Sequence, residues 1–201
     1  MSKDWTGNKK STFTCLGASN HALEEREAND FYATDSIAID KLFAVEEFDK
    51  YIWECACGDG ELSKRMEEYG KIVYSTDLID RGYTFGFSGI DFLKIDKEKD
   101  GQFVGDIITN PPYKYITEFI LKALELTNNK VAMFCKLTTL ESQSRYDDIW
   151  SKYPPKTIYV FSKRIACYKN NDRTSYQSSA VCYAWFIWEK GFTGEPIIRW
   201  I

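Results

Sequence analysis

The residues Asn110, Pro111, Pro112 and Tyr113 bring hydrogen-bond acceptors and an aromatic ring together in consecutive positions. An amino group on an aromatic ring or an amide has a delocalised lone pair, so a site that alkylates it must accept the N–H hydrogens and orient the nitrogen. Asn110 can offer its side-chain carbonyl, the Pro111 carbonyl can offer a second acceptor in a stiff frame, and Tyr113 can lie against a ring. If the electrophile that meets this amine is a strong one, positioning could supply most of the rate.

The residues before this tetrapeptide predict a buried strand. Residues 104–109 are mostly branched and apolar, and the two prolines that follow supply no N–H with which a strand ladder could continue. The tetrapeptide therefore falls at the carboxyl end of a strand, where ligands bind in open α/β sheets. The alternative is a rigid turn that only closes the strand, and the short motif alone does not separate the two.

Upstream, an apolar strand runs into a glycine turn and then a helix. Residues 51–57 are apolar apart from Glu54, Gly58 and Gly60 form a Gly-x-Gly turn, and residues 61–66 begin a helix. Glycines at such a turn let a nucleotide approach the backbone. A dinucleotide pattern would need a third glycine, which is missing at the helix start, so a nucleoside is favoured over a pyrophosphate cofactor.

A second strand over residues 71–77 ends in an acid. Asp77 stands roughly 20 residues past the glycine turn, where a carboxylate can accept hydrogen bonds from two ribose hydroxyls. The alternative is a helix-capping aspartate, but the order of strand, glycine turn, helix, strand and acid favours a ligand role. Ahead of the first strand, residues 31–35 precede a helix start that could hold a carboxylate, or they form an aromatic staple for that helix.

This order resembles the class I S-adenosylmethionine-dependent methyltransferases, and in particular the DNA adenine-N6 enzymes and their small phage and prophage members. Glu54 stands in the acidic position of the family's first motif, although Cys55 and Ala56 replace the proline and glycine of many members. The resemblance implies that Asp91 meets the exocyclic amine of the cofactor's adenine and that an apolar neighbour covers the ring. The cofactor residues that it implies are Phe31, Tyr32, Thr34, Glu54, Cys57, Gly58, Gly60, Asp77, Leu78, Asp91, Phe92 and Asn110.

The alternation of strands and helices predicts an α/β fold with a doubly wound, mostly parallel sheet. The last two strands of the pattern, over residues 157–161 and 180–188, predict a C-terminal antiparallel hairpin, and residues 197–201 form a final strand or a tail. The resemblance implies the seven-stranded, Rossmann-like sheet of class I methyltransferases. Residues 1–20 are predicted to be a flexible arm, and residues 21–201 a single methyltransferase domain without a separate target-recognition domain.

Basic and aromatic residues outside the motifs have a nucleic-acid interpretation, in which cations contact phosphates and a ring stacks on an unstacked base. A frayed terminus and a solvated hairpin loop are the simpler alternatives. The net charge of −4 means that any such surface must be local. The candidate residues are Lys9, Lys10, Lys114, Lys163, Arg164, Tyr168 and Arg173.

Composition narrows the class of protein. The 201 residues are 44% hydrophobic and 16% aromatic, which is typical of one packed domain. The 6 cysteines include no CxxC pair and there is 1 histidine, so no metal is expected. The sequence shows neither a signal-peptide pattern nor an apolar stretch near 20 residues, so we expect a cytoplasmic protein that does not bind a membrane.

The sequence therefore predicts transfer of a methyl group from S-adenosylmethionine to adenine N6 in DNA, with the target base flipped into the site. Asn110 and Pro111 would accept the amino hydrogens, and Tyr113 would stack on the base. RNA adenine or guanine and a protein glutamine amide are alternative acceptors, because the same tetrapeptide serves them. A catalytically silent cofactor-binding module is a further alternative, while the missing third glycine disfavours a dinucleotide-dependent oxidoreductase.

Overall fold

A computed structural model describes residues 32–165, 167–169 and 181–201. The strands are β1 Tyr32–Thr34, β2 Tyr51–Glu54, β3 Ile72–Ser75, β4 Asp106–Thr109, β5 Lys130–Lys136, β6 Thr157–Val160, β7 Cys167–Lys169, β8 Tyr183–Glu189 and β9 Ile197–Trp200. The α-helices are α1 Ile37–Phe43, α2 Glu61–Glu68, α3 Lys97–Asp100, α4 Ile116–Leu126 and α5 Gln143–Arg145. Shorter 3₁₀ turns lie at Phe92–Lys94, Tyr113–Tyr115 and Leu137–Leu140. No helix within these described ranges has the length and apolar character needed to span a membrane.

The main sheet has seven strands in the order β3-β2-β4-β5-β8-β6-β9. Neighbouring strands are parallel except at β8, which runs antiparallel to both β5 and β6. This arrangement confirms the mostly parallel sheet and the antiparallel C-terminal hairpin. The seventh strand is β9, which lies parallel to β6 at the sheet edge, so residues 197–200 form a strand and not a tail.

Helices cover both faces of the sheet. Successive strand residues point to opposite sides, so each strand contributes side chains to both faces. Trp53, Ile107 and Phe186 belong to the apolar cluster that includes α4. Their chain neighbours Ile52, Ile108 and Trp185 belong to the other cluster, together with residues of α1 and α2. This two-sided burial explains the nearly continuous apolar runs of β5 and β8.

The sequence did not predict a small second sheet, in which β1 pairs antiparallel with β7. Its register places Tyr32 opposite Lys169 and Thr34 opposite Cys167. Three-residue strands are too short to show an alternating pattern, so residues 31–35 read only as an approach to α1. The approach itself was predicted correctly, since Asp35 Oδ1 accepts a hydrogen bond from Ile37 N at 3.0 Å in the first turn of α1.

Residues 142–150 form an irregular helix. It consists of α5 and a π-helical turn at Tyr146–Trp150, which is closed by a 3.0 Å bond from Ser151 N to Tyr146 O. Five residues are too few for apolar spacing to distinguish this wider turn from an α-helix. The predicted arm, residues 1–20, lies outside the described residues.

Gly105 provides a test of the entry into β4. Its φ is +147°, and a Cβ at this position would lie 2.3 Å from the carbonyl oxygen of Tyr51. We expect Gly105→Ala to lower the free energy of unfolding by about 3 kcal/mol, at the upper end for local backbone strain. Urea denaturation measures the loss. Gly70→Ala is the control, because Gly70 ends α2 in a left-handed turn with a φ of +76° and no atom lies within 4 Å of an added Cβ, so only about 1 kcal/mol is expected. Equal losses would contradict the steric argument.

Candidate active site

A cavity of about 340 Å³ opens at the carboxyl ends of β2, β3 and β4. Its size falls in the range of small-molecule sites, about 300–1,000 Å³. Parallel strands bring their carboxyl ends to one edge of the sheet, so residues from distant parts of the chain meet there. The predicted residues that line the cavity are Thr34, Glu54, Cys57, Gly58, Asp77, Leu78, Asp91, Phe92, Asn110, Pro111, Pro112 and Tyr113.

The glycine turn connects β2 to α2. Gly58 and Gly60 have φ values of 57° and 78°, and Gly60 N donates to Cys57 O at 2.8 Å. Gly60 is not among the residues that line the cavity. A Cβ on Gly60 would lie 2.4 Å from the Tyr83 ring, so a glycine is needed here for the ring to pack against the turn. Tyr83 had no sequence signal, because only the fold brings it to Gly60.

Asp77 links the end of β3 to the glycine turn. Its Oδ2 accepts from Gly58 N at 2.8 Å, and its Oδ1 accepts from Ile79 N at 2.8 Å. Each carboxylate oxygen has more than one lone pair, so both can still accept a hydroxyl hydrogen. Asp77 therefore positions the turn and also offers acceptors to a ligand.

Glu54 places a buried carboxyl group at the cavity. Ser63 Oγ donates to Glu54 Oε2 and lies 2.7 Å from Ser75 Oγ. Burial raises the pKa of Glu54 well above its usual range; the Ser63 bond opposes this effect, and the nearby charge of Asp77 adds to it. The folded protein therefore binds the proton of Glu54 more tightly than the unfolded chain does.

This difference predicts a pH-dependent stability. Because the folded pKa is raised, the Glu54 contribution is fully present below the unfolded pKa and is lost as the pH rises through the folded pKa. Glu54→Gln removes the ionisation, so we expect its stability relative to the native protein to increase as the pH rises from the unfolded pKa of a glutamate, about 4.3, through the raised folded pKa. Urea denaturation across this range measures the difference. Glu67→Gln, on the exposed face of α2, is the control and should give no such trend.

The Asn110 amide is held by a residue of the small sheet. Asn110 follows β4 directly, and its Nδ2 donates to Thr34 Oγ1 at 2.7 Å. Pro111 is buried, and Pro112 O accepts from Tyr115 N at 2.9 Å, which closes the turn after the tetrapeptide. The segment thus has a defined conformation, with the Asn110 amide nitrogen directed to Thr34.

Two residues that the sequence analysis missed contact Tyr113. Lys136 Nζ lies 4.4 Å from the centroid of the half-buried Tyr113 ring, and the Tyr183 ring lies 6.2 Å from it at 33°. Lys136 ends β5 and is paired with Tyr183 at the start of β8. Their location at the carboxyl edge of β5 is the signal that could have identified them. A ring stacked on Tyr113 would therefore have a cation nearby.

Asp91 and Phe92 lie side by side but in different environments. Asp91 Oδ1 accepts from Leu93 N at 3.2 Å, and its Oδ2 lies 3.1 Å from Lys94 Nζ. Phe92 is 2% exposed and packs edge-on against Trp53 at 5.3 Å, so most of its ring belongs to the core.

Several carboxylates line this cavity, yet no group of three or more His, Cys, Asp or Glu in the described part of the chain could hold a metal ion.

Part of the predicted nucleic-acid set reaches the same edge of the sheet. Lys114 is exposed beside Tyr113, with its Nζ 4.9 Å from the Tyr115 ring centroid. Lys163 and Arg164 are exposed after β6, which runs in the same direction as β5. For Tyr168, in β7, only the backbone is described, as for Tyr32 in β1. Lys9, Lys10, Phe31 and Arg173 lie outside the described residues.

Several solved structures have a similar fold. One is described as the modification subunit of a type I restriction enzyme from Vibrio vulnificus (TM-score 0.56, 12% identity, 96% of this chain), and the chain spans 51% of that protein's length. A protein described as an RNA methyltransferase from Pyrococcus horikoshii has a TM-score of 0.55 and 13% identity over 93% of this chain and 100% of its own. A protein described as a hemolysin from Lactococcus lactis has a TM-score of 0.57 and 10% identity over 83% and 91%.

These similarities establish the fold. The seven-stranded mixed sheet is the Rossmann-like fold of class I methyltransferases, as the sequence predicted. No protein-family model and no curated protein sequence matches the chain.

Proposed function

We propose that the protein transfers a methyl group from S-adenosylmethionine to the exocyclic N6 amine of adenine in DNA. One observation carries the proposal: Asn110-Pro111-Pro112-Tyr113 lines the same cavity as the glycine turn and Asp77. A nucleoside-binding half and an amine-binding half would then share one space, which is what direct transfer between two bound molecules needs.

The nucleoside half fits the cofactor by its donors and acceptors. Asp77 would accept from the ribose hydroxyls, and Asp91 would accept from the adenine amine. The Asp91 carboxylate is paired with Lys94, whose side chain is 84% exposed, and such surface pairs contribute only about 0–1 kcal/mol. It can therefore exchange this partner for a ligand at little cost. When bound, the cofactor supplies a methyl group activated by a sulfonium.

The tetrapeptide would orient the acceptor. Asn110 Oδ1 and the Pro111 carbonyl would accept the two amino hydrogens. The nitrogen would then present its lone pair to the methyl carbon. The nitrogen–carbon bond would form as the cofactor's carbon–sulfur bond breaks, with the electron pair of the broken bond going to sulfur. The nitrogen then loses a proton to solvent, so no residue of the site has to act as a strong base.

Two observations support a nucleic-acid acceptor, of which DNA is the one we propose. The exposed cations Lys114, Lys163 and Arg164 are at the cavity edge of the sheet, where they would contact phosphates. Two structures with this fold are described as the modification subunit of a restriction enzyme and as an RNA methyltransferase. A base in a duplex must leave the stack to reach a cavity, and Tyr113 offers a ring to replace the lost stacking.

A labelling experiment tests the proposal. The protein is incubated with methyl-labelled S-adenosylmethionine and, in parallel, double-stranded DNA, single-stranded DNA, RNA and a protein extract, and labelled nucleosides or residues are then identified. N6-methyladenine in DNA is the expected product. Label in RNA or in glutamine would replace the acceptor but keep the reaction. Cofactor binding without label in any sample would favour a silent binding module, and tight binding of NADH would favour an oxidoreductase.

A further inference from the structure

We propose that Thr34 is a positioning residue for methyl transfer, whose hydroxyl holds the Asn110 amide so that its carbonyl oxygen is presented to the acceptor amine. The inference rests on the proposed function and adds a residue to it. Its basis is the 2.7 Å hydrogen bond from Asn110 Nδ2 to Thr34 Oγ1, formed between residues 76 positions apart in sequence. Both residues line the cavity, and Thr34 is 4% exposed.

The need for this bond follows from the chemistry of a primary amide. The terminal torsion of an asparagine is broad and roughly two-fold, so its intrinsic preference does not decide which side of the amide faces the acceptor. One orientation offers an oxygen to the amino hydrogens of the acceptor. The reverse orientation offers an NH₂ group, which would set donor against donor. A partner for the nitrogen selects the first orientation.

Thr34 is suited to this task because its backbone is fixed. It is the last residue of β1 and lies opposite Cys167 of β7. A threonine hydroxyl can accept from the amide and still donate its own hydrogen, so holding Asn110 does not exclude a contact with the cofactor. β7 belongs to the connection between β6 and β8 that also carries Lys163 and Arg164. The small sheet therefore ties the hydroxyl to a segment predicted to bind the acceptor.

The test compares three variants. Thr34→Val keeps the branched shape but removes the hydroxyl, and Thr34→Ser keeps the hydroxyl. Thr157→Val is the matched control, because Thr157 is also a buried strand threonine, at the start of β6 and away from the cavity. We expect Thr34→Val to lower kcat at least 10-fold with the cofactor Kd within 3-fold of the native value, roughly the effect of losing one neutral hydrogen bond. Thr34→Ser should recover most of the rate.

Two outcomes would overturn the inference. An unchanged kcat in Thr34→Val would show that the amide needs no support. A cofactor Kd that weakens in proportion to kcat/KM, with kcat intact, would make Thr34 a cofactor contact only. General damage to the fold is recognised by a similar loss of rate in Thr157→Val or by a lowered unfolding midpoint.

A spectroscopic measurement separates this inference from the proposed function. The side-chain NH₂ resonances of Asn110 can be assigned by their absence in Asn110→Ala. In Thr34→Val these amide protons should exchange with solvent at least 10-fold faster than in the native protein, about the change expected for one lost hydrogen bond. An unchanged exchange rate of these protons would show that the Thr34 hydroxyl does not hold the Asn110 amide. A native protein that methylates no acceptor would refute the proposed function, while the exchange result would still decide whether Thr34 holds Asn110.

Discussion

Asn110→Ala is expected to lower methyl transfer by about 1,000-fold, the upper range for removing one preorganised polar group at a reacting centre. The alanine has no oxygen with which to accept an amino hydrogen, so the nitrogen lone pair is no longer aimed at the methyl carbon. The cofactor should bind nearly as before, because the glycine turn and Asp77 are unaltered. Single-turnover transfer of labelled methyl measures the rate, and calorimetry measures the Kd of the cofactor.

Two variants make the Asn110 result specific. Asn128→Ala removes an exposed asparagine whose Nδ2 donates to Gln102 Oε1 at 2.6 Å, and it should keep full activity. Asn110→Asp retains oxygen acceptors but has no NH₂ for Thr34, whose hydroxyl can then donate to the carboxylate instead. We expect it to keep more activity than Asn110→Ala. Substantial transfer by Asn110→Ala would remove this residue from the mechanism.

The parts of the site that the sequence predicted share one property: each is local. An apolar run that stops at a proline, a glycine or an acidic residue marks a strand end without knowledge of the rest of the chain, and this holds for Glu54, Asp77 and Asn110. Parallel strands then gather these ends at one edge. The cavity could therefore be predicted from separate local signals and a single rule of topology.

The missed contacts depend on pairings between distant segments. The β1–β7 sheet joins three-residue strands from opposite ends of the chain, and Lys136 approaches Tyr113 only because β5 and β8 are neighbours. Gly60 is another case. Its sequence context suggested close approach of a ligand, whereas in the structure the Tyr83 ring occupies the space beside it. Local patterns identify the residue that a turn requires, but not the side chain that packs against it.

The Thr34–Asn110 bond connects these two levels. Asn110 and Thr34 were each predicted at the site, but no sequence pattern predicted the bond between them, on which the position of the Asn110 amide depends. If the segment between β6 and β8 binds the acceptor, then β7, β1 and Thr34 form a continuous path of hydrogen bonds from that segment to the reacting centre. Acceptor binding would then stabilise the amide orientation that transfer requires.

Asp77→Ala is expected to weaken cofactor binding about 100-fold, a loss of about 2.7 kcal/mol. A hydrogen bond to a charged group contributes about 1.5–3 kcal/mol, and the variant loses the acceptors for both ribose hydroxyls. It also loses the bonds from Gly58 N and Ile79 N, each 2.8 Å long, so the glycine turn becomes less ordered. Calorimetric titration with S-adenosylmethionine measures the Kd.

The control for Asp77 lies in the same loop. Asp80 is exposed and its Oδ1 accepts from Gly82 N at 2.9 Å, but it does not line the cavity. Asp80→Ala therefore loses a comparable backbone contact without losing a ligand acceptor. Its Kd for the cofactor should stay within about 2-fold of the native value, because surface changes of this kind cost within about 0.5 kcal/mol. At saturating cofactor, the rate of Asp77→Ala should approach the native kcat, since Asn110 and Tyr113 remain in place. An unchanged Kd would mean that the cofactor's ribose does not bind at the end of β3. A kcat that stays low would mean that Asp77 orients the methyl donor as well as holding it.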